Sequence, residues 1–329
     1  MTFLTVQSPA SGAVCIGHNC ELLRSVVERS GVPLEEVLRN IQGNIIDPIV
    51  NSQGNMAAWE GGSLDVTPRG SGGGVKVTLW GGTSFNWITT NGQILNTRFN
   101  NTFPTGIARI GGSIELPITP TTDGIINLGL WHGDPSYGTG LMIGNNEETA
   151  VRLGGGIRTR LYEGTSASIF ISSGMVVGFR KFSTEYDDGK TMYIRTGAGS
   201  IGWNGIEKYS DSVVYASLPA TLGGTLRLWD LTFSAEGGGV ASYQMGEYYV
   251  EKFGPAGPFF GTSGYYNTGL SANGSLEGAQ LWPLVRIGLE WNFIGGGSIM
   301  GNWHPKLGSR PHHIGAGIGW QFLKQPLNP

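Results

Sequence analysis

From residue 75 onward the chain alternates. Over 281–293, Leu281, Pro283, Val285, Ile287, Leu289, Trp291 and Phe293 fall on one side of an extended backbone. Trp282, Leu284, Arg286, Gly288, Glu290 and Asn292 fall on the other. Over 312–322, Ile314, Ala316, Ile318, Trp320 and Phe322 oppose His313, Gly315, Gly317, Gly319 and Gln321. Over 151–162, Val151, Leu153, Ile157, Thr159 and Leu161 oppose Arg152, Arg158, Arg160 and Tyr162. Over 167–182, Ala167, Ile169, Ile171, Met175, Val177 and Phe179 oppose Ser166, Ser168, Ser172 and Arg180, with Phe170, Val176 and Phe182 breaking the pattern on the second face. A period of two is the mark of a strand with different surroundings on its two faces. Further strands are expected at 75–90, 106–118, 124–132, 190–201, 211–218, 222–233, 239–253, 258–268 and 296–303. Turn signals lie between them at Thr121-Thr122-Asp123-Gly124, Gly144-Asn145-Asn146, Asp187-Asp188-Gly189 and Asn273-Gly274. The sum is about twelve strands, within a range of about ten to fourteen. Several run to about ten residues or more, against a usual five or six, a length that suits a tilted membrane strand of about 9–11 residues.

Residues 1–70 read differently. Leu22, Leu23, Val26 and Val27 share one helix face over 19–29, and Leu34, Val37, Leu38 and Ile41 form a second short stripe. Ser30-Gly31-Val32-Pro33 stands between them as a stop and restart. Either this is a small helical unit packed on the main body, or it plugs or threads it. Gly70-Ser71-Gly72-Gly73-Gly74 separates it from the rest. Three regions follow: 1–70, 71–322 and a tail, 323–329.

Composition decides what kind of β-protein this is. Glycine makes up 56 of 329 residues, and charged residues only 14%, against averages of about 7% and about 25%. At 39% hydrophobic and 10% aromatic, the chain is too apolar for disorder. A net charge of −3 leaves no nucleic-acid footprint. No apolar run is long enough for a transmembrane helix. The second face of the strands carries Gly, Ser, Thr and Asn with occasional Arg, where a soluble sandwich carries Lys and Glu. Small polar residues on one face and large apolar ones on the other fit a lumen and a lipid face. In lipid the sheet must then close, because every open edge leaves N–H and C=O groups unmade at several kcal/mol each. The fold class expected is all-β: a closed antiparallel transmembrane β-barrel with a short N-terminal helical segment. Trp80, Trp87, Trp131, Tyr162, Tyr193, Trp203, Tyr215, Tyr248, Tyr249, Trp291, Trp320 and Phe322 are candidates for interfacial girdles.

The closing segment His313-Ile314-Gly315-Ala316-Gly317-Ile318-Gly319-Trp320-Gln321-Phe322 resembles the terminal strand of bacterial outer-membrane β-barrel proteins, which alternates and ends on an aromatic. The resemblance is one of architecture over 74–322, and residues 323–329 after the Phe depart from the pattern. It implies the bacterial outer membrane, with its lipids as partners. Residues 1–10 show no basic segment and no long apolar core, so a signal peptide already removed is the expectation.

Arg152, Arg158 and Arg160 form the sharpest cluster. On a strand whose other face is apolar they point into a lumen, where a ring of Arg favours anions. Arg180, Arg286 and Glu290 are candidate pore-lining partners, and Arg109, Arg195 and Arg227 are further members. The alternative is that each Arg pairs with a lumen carboxylate such as Glu115, Glu247 or Glu290 and braces a closed barrel. Cys15 and Cys20, the only cysteines, are a candidate disulfide in an oxidising compartment. No Gly-x-Ser-x-Gly elbow and no phosphate-cradling glycine loop occur. No catalytic residue, metal site or cofactor is expected, and the chain reads as a non-enzyme. The leading expectation is a porin-like channel for small polar or anionic solutes. The alternatives are a sealed barrel anchoring an envelope assembly through residues 1–70, as a homo-oligomer or with a periplasmic protein, and a soluble β-rich structural protein.

Overall fold

The computed structural model describes residues 14–16, 33–41, 74–94, 97–133, 145–196, 199–253, 255–256, 266–267, 269–293, 296–305 and 312–322, with Arg24, Glu28, Gly31 and Gly43. Its wall is built from β2 (Val75–Ile94), β3 (Thr97–Pro117), β4 (Thr122–Gly133), β5 (Asn145–Glu163), β6 (Ala167–Thr196), β7 (Gly199–Leu228), β8 (Leu231–Phe253), β11 (Gly269–Phe293), β12 (Gly297–His304) and β13 (His312–Phe322). Each pairs antiparallel with the next, β8 passes directly to β11, and β13 pairs back onto β2 with His312 opposite Phe85 and Phe322 opposite Val75. The ring is therefore closed, with ten strands. Short β1 (Val14–Ile16), β9 (Pro255–Ala256) and β10 (Tyr266–Asn267) add to its upper part.

The count of about twelve is corrected to ten, because long strands had been read as two. Both 211–218 and most of 222–233 lie in β7, and 190–201 spans the β6–β7 hairpin. Asp187-Asp188-Gly189 is no turn but an irregularity inside β6, where the register shifts between Asp187 and Thr191. Asn273-Gly274 is paired with Tyr249 and Tyr248 in the body of β11. Ladder hydrogen bonds on a flanking strand override local turn chemistry at both places. Much of 258–268 lies outside the described residues.

Connections at one rim are short, as at 118–121, 164–166 and 229–230. At this rim Gly296 has φ +77°, and a Cβ there would sit 2.4 Å from the Gln321 carbonyl oxygen, so only glycine fits. At the other rim the β2–β3 and β6–β7 hairpins run on past the strands beside them.

Helix α1 (Leu34–Ile41) matches the second expected stripe, with Glu35 and Glu36 in its first turn and Arg39 in its last. A backbone hydrogen bond at the helix start, and then Arg24, hold the Glu35 carboxyl below the usual glutamate range. The expected helix at 19–29 lies mostly outside the described residues.

The sheet is inside-out relative to a soluble protein. Leu128, Leu130, Leu153, Ile157, Ile171, Leu218, Leu222, Leu281, Leu289 and Ile318 are exposed, while Lys76, Glu115, Asp123, Arg152, Arg158, Arg180 and Glu290 are buried. The outward apolar positions of β7 run over 214–228. At about 3.3 Å per residue and a tilt of about 40°, that stretch rises roughly 35 Å, between the thickness of a bilayer's hydrocarbon core and that of the whole bilayer. Exposed Lys181, Ser212, Glu247 and Glu277 end the band on β6, β7, β8 and β11.

Candidate functional site

The lumen is where the charged residues gather. Alternation delivers them there, and the structure resolves the sites where alternation had looked imperfect. Phe170, Val176 and Phe182 are buried because they fill the interior beside the polar residues of β6. Tyr162 is turned outward and exposed, because the β5–β6 register shifts between Arg160 and Tyr162.

Arg152, Arg158, Arg160, Arg180 and Arg286 face inward, and each has its own partner; Arg227 is half-buried, and the side chain of Arg195 lies outside the described residues. Arg158 donates to Glu115 at 2.7 Å, with its guanidinium 4.9 Å from the Phe170 ring centre. Arg180 reaches Glu148 at 3.0 Å and Asp211 at 3.4 Å and stacks on Phe182 at 4.5 Å. Arg286 pairs with Glu236, whose other oxygen accepts from the Thr221 hydroxyl at 3.0 Å. Arg152 donates to the Asn127 side-chain oxygen at 3.1 Å and lies 4.6 Å over Trp80. Arg160 sits nearer the short-turn rim with Asp123 and Glu163. Glu290 is held by Lys76 at 2.7 Å. The six residues are thus inside, but they are distributed along the barrel and not gathered in one constriction. Arg109 is also buried, whereas Glu247 is corrected to the exterior because it alternates with buried Tyr248. Lys76, Glu148, Asp211 and Glu236 were missed. Their parity was the available signal: Glu148 shares a face with Arg152, and Glu236 lies opposite Arg286.

Glycines make room for rings. The Trp80 indole lies over Gly111, Tyr215 over Gly178, Tyr248 against Gly274 and Phe170 over Gly223, each ring where a Cβ would stand within 3 Å. Aromatic rings seated on cross-strand glycines stiffen a curved sheet. Trp80, Tyr215 and Tyr248 are therefore corrected from girdle residues to lumen residues. Trp291, Trp320 and Phe322 do point outward, with Phe293 edge-on to both tryptophans at 6.4 and 6.2 Å. Trp131 is half-buried. Exposed Trp229 and Trp303 join the outward set. The side chains of Trp87, Tyr193 and Trp203 lie outside the described residues, as does Cys20 and with it the candidate disulfide to Cys15.

Two of the spaces left among the described residues are small. One cavity of about 10 Å³ lies among Arg109, Gly129, Arg152, Arg180 and Tyr215, and another of about 10 Å³ among Arg158, Ser172, Thr221, Glu236 and Arg286. Each has room for about one water. Buried His304 and His313 face each other across β12 and β13 with ring centres 5.0 Å apart. Among the described residues no group of three or more His, Cys, Asp or Glu is placed to hold a metal ion.

Gly178→Ala is expected to lower stability by about 1–3 kcal/mol, because its Cβ would stand 2.3 Å from the ring of buried Tyr215. Gly81→Ala, with its nearest neighbour at 3.5 Å, is expected to leave stability unchanged. Urea unfolding of both variants in liposomes compares them. Equal midpoints would show that the ring does not need the glycine.

A closed antiparallel ring, oily outside and polar inside, satisfies its backbone only as a membrane-spanning barrel. The chain is an outer-membrane-type β-barrel. No family model matches it, and no curated protein matches it. Among solved structures it is similar to the outer membrane protease OmpT from Escherichia coli at 12% identity, over 79% of this chain and 100% of that one, with a TM-score of 0.39. It is also similar to the translocator domain of the autotransporter NalP from Neisseria meningitidis, at 13% identity over 84% and 97%, with a TM-score of 0.41. A third is the P. putida toluene transporter TodX, at 10% identity over 78% and 92%, with a TM-score of 0.29. These superpositions are loose, and the membrane assignment rests on the chain's own exterior. One expectation is corrected by them: a protease stands among the similar barrels, so the reading of this chain as a non-enzyme is withdrawn.

Proposed function

We propose that this protein is a sealed barrel of the bacterial outer membrane that anchors an envelope assembly, with residues 1–70 as the attachment. The observation that carries the reading is the filling of the lumen. Arg158 with Glu115, Arg180 with Glu148 and Asp211, Arg286 with Glu236, and Lys76 with Glu290 are buried pairs, and between them stand Trp80, Phe170, Phe182, Tyr215 and Trp282. A hydrated ion needs a continuous water path, and two of the spaces among the described lumen residues are each about the size of one water, which supports the sealed reading. Paired charges also cancel the field that an Arg-lined pore would use to select anions.

Planar-bilayer recording tests this. The intact protein is expected to give no steady conductance above the bare membrane. Steady, anion-selective channels that lose selectivity in Arg152→Met, Arg158→Met or Arg180→Met would overturn the sealed reading and restore the porin-like one. Deleting residues 1–60 is expected to release the barrel from its assembly on native gels while conductance stays at baseline.

A further inference from the structure

Three of the lumen arginines converge on one cavity. From β2 to β7, Trp80, Gly111, Gly129, Arg152, Gly178 and Tyr215 stand opposite one another in a single row across the wall. Directly opposed residues share a face, and buried Trp80, Arg152 and Tyr215 show that this face is the lumen. A Cβ on Gly129 would stand 2.9 Å from the Arg152 side chain, so the glycine lets Arg152 lie across β4. Arg109 is two residues from Gly111 on β3, and Arg180 two residues from Gly178 on β6, so both take the same face. Between them stands Ala150, opposite Trp131 and Arg180 and too small to fill the space. The cavity of about 10 Å³ that results has Arg109, Gly129, Ala150, Arg152, Arg180 and Tyr215 on its wall.

The polar side chains on this wall are donors. Arg109, Arg152 and Arg180 are buried, and no carboxylate lines the cavity among the described residues. Each guanidinium carries five N–H donors and accepts nothing. The bonds from Arg152 to Asn127 and from Arg180 to Glu148 and Asp211 therefore leave geometry for one more acceptor. The same excess of donors extends around the cavity. Among the described residues no acceptor meets the indole N–H of Trp80, the indole N–H of Trp131 or the amide N–H of Asn127, although all three atoms are buried. A water in the cavity would accept from two donors and bring two protons of its own to place, whereas a monatomic anion only accepts, and charge-assisted bonds to it are the stronger kind. The second cavity is different, because Glu236 lines it beside Arg158 and Arg286 and supplies the negative charge itself.

We propose that Arg109, Arg152 and Arg180 hold one chloride ion in this cavity, with the Tyr215 hydroxyl as a further donor. Room for about one water admits a halide and excludes sulfate, phosphate or a carboxylate-bearing solute. In a low-dielectric interior the attraction of an anion to three cations is strong, and the ion ties β3, β5 and β6 together across the lumen. The site does not rest on the sealed reading: a bound ion and a conducting path are separate properties, and bilayer recording decides only the second.

The test uses the full-length protein folded in liposomes, first in sodium gluconate and then titrated with sodium chloride at constant ionic strength. The urea midpoint is expected to rise with chloride and to saturate, as it does for any ligand that binds the folded form alone. Sodium sulfate is expected to give no saturating rise. Arg152→Met is expected to remove the chloride effect. Ala150→Val keeps every charge and fills the space, so it is expected to remove the effect as well, and it serves if Arg152→Met does not fold. Ser172→Ala, at the second cavity, is expected to keep it. Equal midpoints in chloride and gluconate would overturn the proposal, and so would a chloride effect that survives either cavity variant. Crystals grown in sodium bromide locate the ion directly. Anomalous scattering is expected to place one bromide within hydrogen-bond reach of Arg109, Arg152 and Arg180. A bromide only beside Arg158 and Arg286, or none in the lumen, would overturn the assignment.

Discussion

Replacing Arg158 with methionine is expected to lower the unfolding free energy of the barrel by about 3–5 kcal/mol, the cost of removing one member of a buried ion pair. Glu115 is fully buried and its carboxylate is 2.7 Å from Arg158. Without the guanidinium, a negative charge remains in a low-dielectric interior, and the face of Phe170 loses its cation as well. The companion variant separates charge from packing. Arg158→Met with Glu115→Met removes both ions and keeps similar volume, so it is expected to recover most of the loss. Exposed Arg24, paired with Glu35 on the surface, is the control, and Arg24→Ala is expected to leave the midpoint where it was. Urea titration of the folded and unfolded forms in liposomes measures all of these. A loss below about 1 kcal/mol for Arg158→Met, the range of exposed pairs, would show that water reaches this pair and that the lumen is wetter than the packing implies.

The second large effect is on the outside. Leu222→Arg is expected to destabilise by about 2–4 kcal/mol, the cost of a cation on the lipid face near the bilayer midplane. Leu222 is 56% exposed and stands near the middle of the outward band of β7. Ser212→Arg, where that band ends, is expected to cost about 0–1 kcal/mol. The contrast is diagnostic, because an exposed Leu→Arg change on a water-facing surface stays within about 0.5 kcal/mol. Equal, small effects at both positions would mean that the exterior meets water and not lipid.

Much of this architecture is written in the period of two. Alternation over 151–162, 281–293 and 312–322 told inside from outside correctly for Val151, Leu153, Arg152, Arg158, Arg286 and Glu290, because in a strand the face of a residue follows from its parity alone. Scarcity of Lys and Glu on the second face, with abundant glycine, was enough to argue for closure in a membrane, since that argument needs only local composition and the cost of an open edge in lipid. The α1 stripe was legible for the same reason: helical spacing is local.

What stayed hidden depends on neighbours distant in sequence. Strand number was one such property. Asp187-Asp188-Gly189 and Asn273-Gly274 look like turns by themselves, but flanking strands supply their hydrogen bonds and carry the chain through. The bulge at Arg160 and Tyr162 was another, because one extra residue reverses every later face and nothing in the local sequence marks it. Most of all, the meaning of the arginines was undecided. Alternation could send Arg158, Arg180 and Arg286 inward, but whether they line water or brace a packed interior depends on which carboxylates stand across the lumen. Glu115, Glu148 and Glu236 are brought there by the register of β3, β5 and β8, over sequence separations of 43, 32 and 50 residues. Local chemistry set which face each residue takes, whereas only barrel closure chose its partner.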